Sequence, residues 1–131
     1  MFDIRTASGA ALAYLGDAVL ELLVRTRLVE EGISSSKSLN AKALHYVRAG
    51  AQARAMERIL PLLTEQENAV FHRGRNIGHT NHPKGATVGE YRNATGMEAL
   101  FGYLKMTGEE ARIRTLFEAA YPKEDAREDQ V

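Results

Sequence analysis

The chain has 131 residues, 44% of them hydrophobic, and a formal net charge of zero at pH 7, which suits one compact domain with a core of its own. The absence of cysteine excludes disulfides, thiolate metal sites and a cysteine nucleophile, and it suits the reducing cytoplasm, where we expect the protein. No apolar run is long enough to cross a membrane, and the first residues lack the basic-then-apolar order of a signal peptide.

The first half of the chain predicts three helices, each followed by a glycine or a proline. Ser8 is a candidate N-cap for the first of them, and apolar residues repeat along it at helical spacing. A turn is expected at 34–36. The predicted ranges of the helices are about 8–31, 38–49 and 52–60, and the residues that follow them are Gly32, Gly50 and Pro61.

The second half predicts three more helices and one long loop. Thr64 and Glu67 fit a capping box at the start of the fourth helix. The loop over 74–87 is rich in Gly, Asn, His and Thr, and the charged tail over 123–131 is expected to be disordered. The fourth predicted helix ends at about Arg73. The fifth and sixth cover about 88–106 and 109–121. The expected fold is therefore all-α, with one domain over 1–122.

Asp17 stands in the middle of an apolar stretch of the first predicted helix, next to Gly16. An ionised carboxylate among apolar side chains is costly to desolvate unless a cation or strong donors compensate it. Gly16 weakens the helix by roughly 1 kcal/mol relative to alanine, which favours a close approach of other atoms at this point. A half-exposed Asp on an amphipathic helix would have the same pattern, so this stretch alone leaves both interpretations open.

Glu98 has the same setting in the fifth predicted helix, between Gly96 and Gly102. If the two helices pack together, Asp17 and Glu98 meet, and facing carboxylates repel unless a cation lies between them or one is protonated. Oxygen ligands without cysteine or a compact set of histidines favour a hard ion such as Mg²⁺ or Mn²⁺. The two acids are candidate metal ligands, with two unrelated surface acids as the alternative.

A short basic segment, called the basic string below, lies where the fourth helix is expected to end and the long loop to begin. It offers two guanidinium groups and a glycine backbone, which suits contact with phosphates. Lys84 continues the polar loop together with His79 and His82, for which a metal site is the less favoured interpretation because no carboxylate matches them. The residues of the string are Arg73, Gly74, Arg75 and Asn76.

The net charge of zero conceals an uneven distribution. Residues 37–92 carry nine Lys or Arg and four acids, a net charge of +5, whereas 1–36 sum to −2 and 93–131 to −3. A basic segment that forms one face of a domain is typical of proteins that bind a phosphate backbone. A mixed, solvated surface is the alternative.

Three stretches, in order, resemble the endonuclease domain of the ribonuclease III family. Residues 11–21 (ALAYLGDAVLE) resemble its signature helix and 98–102 (EALFG) its second metal-binding motif, with RGRN at 73–76 where the family has a Gly-rich basic segment. The Mini-III branch shares most of this pattern, including the segment YRNATGMEALFGYL at 91–104. The resemblance covers roughly residues 8–120.

Two acids of the longer ribonuclease III enzymes are missing. Ala13 stands four residues before Asp17 and Thr95 three residues before Glu98, where the family pattern has an acid, and the Mini-III branch shows the same reduction. The resemblance implies Asp17 and Glu98 as catalytic residues and ligands of Mg²⁺, with Mn²⁺ as a substitute. Waters, Thr95 or RNA phosphates would complete the coordination. Glu21, one turn past Asp17, is a candidate for a supporting position, with a surface role as the alternative.

The resemblance implies a helical bundle that forms a homodimer and cleaves double-stranded RNA, leaving 5′-phosphate and 3′-hydroxyl ends. The implied substrate is a paired end of the large-subunit (23S) ribosomal RNA precursor, with a ribosomal protein as an additional partner on it. Because only the charged tail follows, we expect this domain to bind RNA unaided. The residues expected to contact RNA are Arg73, Arg75, Asn76 and Lys84.

Two other functions fit the sequence. A non-catalytic RNA-binding or ribosome-assembly module would keep the fold and the basic segment without a metal, and Ala13 and Thr95 keep this alternative open. A structural dimerisation domain would leave Asp17 and Glu98 unexplained. Mg²⁺-dependent cleavage of a duplex separates the nuclease from both.

Overall fold

The computed structural model describes residues 2–77 and 85–123, and across these ranges helix is the only regular secondary structure. The all-α prediction is therefore confirmed. The elements are α1 (Gly9–Glu30), α2 (Ser36–Val47), α3 (Ala49–Ile59), a 3₁₀ turn (Leu60–Leu62), α4 (Glu65–Arg75), α5 (Val88–Met106) and α6 (Glu110–Ala120). None of these helices combines the length and the apolar character that a membrane crossing requires. The tail that is expected to be disordered lies, beyond Lys123, outside the described residues.

Side-chain caps explain where α1, α4 and α5 begin. Ser8 Oγ accepts a backbone N–H of the first turn of α1 at 3.0 Å, as predicted. The capping box of α4 is also confirmed, since the hydroxyl of Thr64 and the carboxylate of Glu67 each accept the other residue's backbone N–H. Thr87 and Glu90 repeat this arrangement at α5.

Two predicted boundaries in the first half differ from the structure. The hydroxyl of Ser35 accepts the N–H of Ser38 at 3.1 Å and caps α2, so Ser36 is helical and not part of a turn. The next helix, α3, begins at Ala49, so Gly50 lies inside a helix and not between two helices. Helix α2 has no fully buried residue and lies at the periphery of the bundle.

The long loop begins later than predicted because Gly74 is a packing residue of α4. This helix continues to Arg75, and a Cβ atom at Gly74 would lie 2.5 Å from the Cβ of Ala99 and 3.1 Å from the Cα of Gly96. The close crossing of α4 and α5 therefore needs glycine inside a helix. The prediction that Gly74 frees a loop backbone for phosphate contact is wrong. Residues His79, His82 and Lys84 lie outside the described residues.

The central helix α5 packs against α1, α3 and α4. Its side chains Met97, Leu100, Phe101 and Leu104 are fully buried in the main core. A smaller cluster joins α1, α4 and α5 and consists of Leu12, Ala13, Val70 and Ala99. The burial of α5 on several sides makes it a rigid support for the polar residues that it carries.

Candidate active site

Helices α1 and α5 cross in direct backbone contact at two glycines. A Cβ atom at Gly16 would overlap the carbonyl oxygen of Glu98, and a Cβ atom at Gly102 would overlap that of Leu12. Only glycine permits this separation. The prediction that Gly16 marks a close approach is confirmed, and the approaching group is the backbone of α5.

The crossing brings the carboxyl groups of Asp17 and Glu98 together in one cleft. Glu98 is half-buried and Asp17 is exposed. Without a cation, burial first, and then the charge and hydrogen-bonding contact of Asp17, raise the pKa of Glu98 to about 8. A positive ion between the two oxygens would relieve the same repulsion that the proton on Glu98 relieves.

The cleft has a volume of about 440 Å³, and its wall, as far as the structure describes it, contains no lysine or arginine. Alanine, valine and isoleucine make up the apolar part. Apart from the two carboxylates, the polar side chains of the wall are Tyr14, Gln52, Tyr91 and Thr95. A phosphate that enters this space would meet two acids and no compensating side-chain cation, so its approach needs a positive ion from outside the protein.

The donor set fits a hard divalent ion. Within 2–77 and 85–123, no group of three or more His, Cys, Asp or Glu side chains comes together. Mg²⁺ commonly binds through one or two carboxylates and keeps several waters or substrate phosphates. Asp17 and Glu98 would hold such an ion, with the remaining ligands from water and RNA.

The positions of the two missing acids lie in the same cleft. Ala13 is one turn before Asp17 on α1, and Thr95 is one turn before Glu98 on α5; both are buried. The Thr95 hydroxyl donates to the carbonyl of Tyr91 at 2.9 Å, which leaves its oxygen able to accept a hydrogen bond. The structure therefore brings Thr95 to the carboxylates.

Glu21 is not brought into the cleft. Its carboxylate instead accepts a hydrogen bond from Nε of Arg25 at 3.0 Å, one turn further along α1. Exposed pairs of this kind contribute only about 0.3–0.5 kcal/mol. The geometry favours the surface role for Glu21 over a position beside the ion.

The basic string lies beside the cleft and not in its wall. Exposed Arg73 donates to the carbonyl of Ala7 at 3.2 Å, and half-buried Arg75 donates to Oδ1 of Asn93 at 2.7 Å. Asn76 is exposed and ends α4. Each guanidinium group has further donors for phosphate oxygens. The next residue, Ile77, lines the cleft, so the basic string ends at the edge of the cleft.

Gln52 is a polar residue of the cleft that belongs to none of the sequence motifs described above. It lies on the inward side of α3, with Met56 and Ile59 four and seven residues further on, and it is 6% exposed. A glutamine that begins an apolar stripe at helical spacing is the signal that would have identified it.

The family model of the ribonuclease III domain matches residues 10–109. The Mini-ribonuclease 3 of Desulfitobacterium hafniense is 51% identical over 107 residues, which cover 82% of this chain and 68% of that protein. The Mini-ribonuclease 3 of Symbiobacterium thermophilum is 47% identical over 109 residues, 83% of this chain and 84% of that protein.

A crystal structure of a protein from Fusobacterium nucleatum is similar in fold, with a TM-score of 0.84 and 30% identity over 94% of this chain and all of that chain (100%). The chain therefore belongs to the ribonuclease III family, and within it to the Mini-ribonuclease 3 group.

Proposed function

We propose that this protein hydrolyses the phosphodiester bonds of double-stranded RNA with a divalent cation, Mg²⁺ or in its place Mn²⁺, held by Asp17 and Glu98. The observation that carries the proposal is the pair of carboxylates in a cleft whose described wall has no basic side chain. Membership of its family makes the protein an endoribonuclease of the ribonuclease III type.

The residues of the cleft would divide the work as follows. A divalent ion held there would activate a water and would neutralise charge on the phosphate and the leaving oxygen. Asp17 and Glu98 would provide its oxygen ligands from two helices that are in direct backbone contact, which limits the movement of both carboxylates. Ala13 and Ala94 make the neighbouring wall apolar, which strengthens the electrostatic interactions inside the cleft.

We also propose that two copies pair through the exposed apolar side of α1. Tyr14, Leu22 and Val29 are 85%, 68% and 64% exposed, and they recur at intervals of eight and seven residues on one side of the helix. A row of large apolar side chains without cover is typical of an interface. Because Tyr14 also lines the cleft, pairing there would set the two clefts beside the interface, on one RNA-binding surface.

The substrate that we propose is a paired end of the large-subunit ribosomal RNA precursor in the cytoplasm, with a ribosomal protein as a further partner on that RNA. The net charge of +5 over 37–92 supports a phosphate-rich partner. Arg73, Arg75, Asn76 and Lys84 remain the residues proposed to contact its backbone. A-form RNA is recognised mainly through shape, phosphates and 2′-hydroxyls, so sequence preference should be modest.

The test is cleavage of a long RNA duplex and of a large-subunit precursor stem, with Mg²⁺ and with EDTA. We expect discrete fragments only with the metal, and at least ~100-fold slower cleavage by Asp17→Asn. The control is Glu30→Gln, which also removes one exposed acid from α1. This variant should cleave RNA at the same rate as the unmodified protein. Duplex binding without cleavage in Mg²⁺ and in Mn²⁺ would contradict the proposal and favour an RNA-binding module.

A further inference from the structure

Gln52 is a largely buried residue whose side-chain amide opens into the cleft and has no hydrogen-bond partner within the part of the protein that the structure describes. The residue is 6% exposed, and its backbone N–H donates to the carbonyl of Arg48 at 2.8 Å. The amide is therefore free to bind a ligand that enters the cleft.

The position of Gln52 identifies where that ligand would be. On the same side of α3, Met56 and Ile59 are fully buried in the core, whereas Gln52 lines the cleft. Gln52 therefore lies where the core ends and the cleft begins. Its amide borders the same space as the carboxylates of Asp17 and Glu98, which the RNA backbone must enter in order to be cut.

The chemistry around Gln52 favours a neutral partner. A side-chain amide has two donor hydrogens and an acceptor oxygen, and a ribose 2′-hydroxyl is both a donor and an acceptor. A phosphate is matched better by a cation, and none lies in the described wall of the cleft. The nearby wall residues Val47 and Ala49 are apolar, which disfavours an unpaired charge there.

We propose that the amide of Gln52 binds a ribose 2′-hydroxyl beside the scissile phosphate, and that this contact makes the cleft select RNA over DNA. The inference rests on the proposed function. It assigns the recognition of the sugar to a neutral residue in the cleft and leaves the phosphates to the basic residues outside it.

The experiment uses Gln52→Met, which keeps the length of the side chain, and Gln52→Ala, with Gln66→Met at an exposed position of α4 as the control. Single-turnover cleavage and duplex affinity are measured on an all-ribose duplex and on duplexes with one 2′-deoxy replacement near the cleavage site. Both Gln52 variants should lose ~5- to 10-fold in efficiency, the size of one hydrogen bond. The melting temperature of Gln52→Met should equal or exceed that of the unmodified protein, because the side chain keeps its length and no internal hydrogen bond is removed.

The decisive result is non-additivity between protein and substrate. At one position, a deoxy replacement should lower the cleavage efficiency of the unmodified protein ~5- to 10-fold. The same replacement should not lower the cleavage efficiency of Gln52→Met any further. Three results would each overturn the role of Gln52: unaltered cleavage by both variants, a fall in the melting temperature of Gln52→Met that accounts for its loss of cleavage, or the absence of any deoxy position with this behaviour. Failure of the unmodified protein to cut any duplex would instead overturn the proposed function.

Discussion

Gly16 and Glu98 touch through their backbones, and a Cβ atom at Gly16 would overlap the carbonyl oxygen of Glu98. The next residue on α1 is Asp17, whose carboxylate meets that of Glu98 in the cleft. The contact that packs α1 on α5 is thus also the contact that assembles the candidate metal site, and stability and catalytic geometry depend on the same glycine.

Gly16→Ala should lower the free energy of unfolding by about 2–4 kcal/mol, because the added methyl group forces two backbones apart. Denaturant unfolding measures this. Gly89→Ala is the matched control, since a Cβ atom there would meet only Thr87 Oγ1 at 3.9 Å. It should leave stability unchanged or raise it by up to about 1 kcal/mol. Equal stability of the two variants would refute the importance of the crossing.

Glu98→Gln should raise stability in EDTA while it abolishes cleavage. Burial and the neighbouring Asp17 both oppose a charge on Glu98, and an amide of the same shape avoids this cost. We expect a gain of about 1 kcal/mol in the free energy of unfolding, a trade-off common in functional sites. Thermal unfolding and a cleavage assay check the two effects, and a less stable variant would argue against the repulsive pair.

The ion pair between α4 and α6 should make stability depend on pH. Arg112 donates from Nε and Nη2 to the carboxylate of Glu67, both at 2.8 Å, and these bonds hold the pKa of Glu67 below its ordinary value of 4.5. A lowered pKa in the folded state means that the unfolded state binds the proton more readily. The pair therefore stabilises the fold above pH 4.5, and this contribution is lost as the pH falls through the lowered pKa.

Glu67→Gln should accordingly cost about 2 kcal/mol in the free energy of unfolding at pH 7. The difference from the unmodified protein should shrink as the pH falls below the pKa of Glu67. Glu65→Gln, at an exposed position in the same turn of α4, should change stability little at any pH. A difference that is the same at low and neutral pH would show that packing, and not charge, is responsible.

Leu22→Glu should separate the proposed dimer into monomers, because it places a charge on the apolar side of α1. Sedimentation velocity measures the mass, and circular dichroism checks that the helices remain. Leu62→Glu introduces the same charge at another half-exposed leucine, in the 3₁₀ turn, and should leave the mass unchanged. A dimer that survives Leu22→Glu would place the interface elsewhere.

Arg73→Gln and Arg75→Gln should each weaken duplex binding and reduce the slope of log affinity against log salt by about 1. The loss should be similar for duplexes of different sequence, because phosphates carry no sequence information. Arg114→Gln removes an exposed arginine of α6 and should leave the slope unchanged. Normal slopes for both variants at the string would remove these residues from the RNA interface.

Local interactions explain the predictions that succeeded. The cap at Ser8 and the capping box of Thr64 and Glu67 act within one helical turn, so residue identity and spacing suffice to locate them. Gly74 and Gly50 were harder to place, because each lies inside a helix where glycine is locally unfavourable. For Gly74, the contact with Ala99 on another helix decides the conformation.

The sequence by itself determined the all-α class, the caps at Ser8 and Thr64, and the choice of Asp17 and Glu98 as candidate metal ligands, because these depend on residue type and short-range spacing. Only the tertiary structure decided that the two acids meet, that Thr95 joins them while Glu21 pairs with Arg25, and that Gln52 borders the same cleft. The physical reason is that these neighbours are brought together by the packing of separate helices, above all by the backbone contact of α1 with α5, and no local pattern encodes the distance between them.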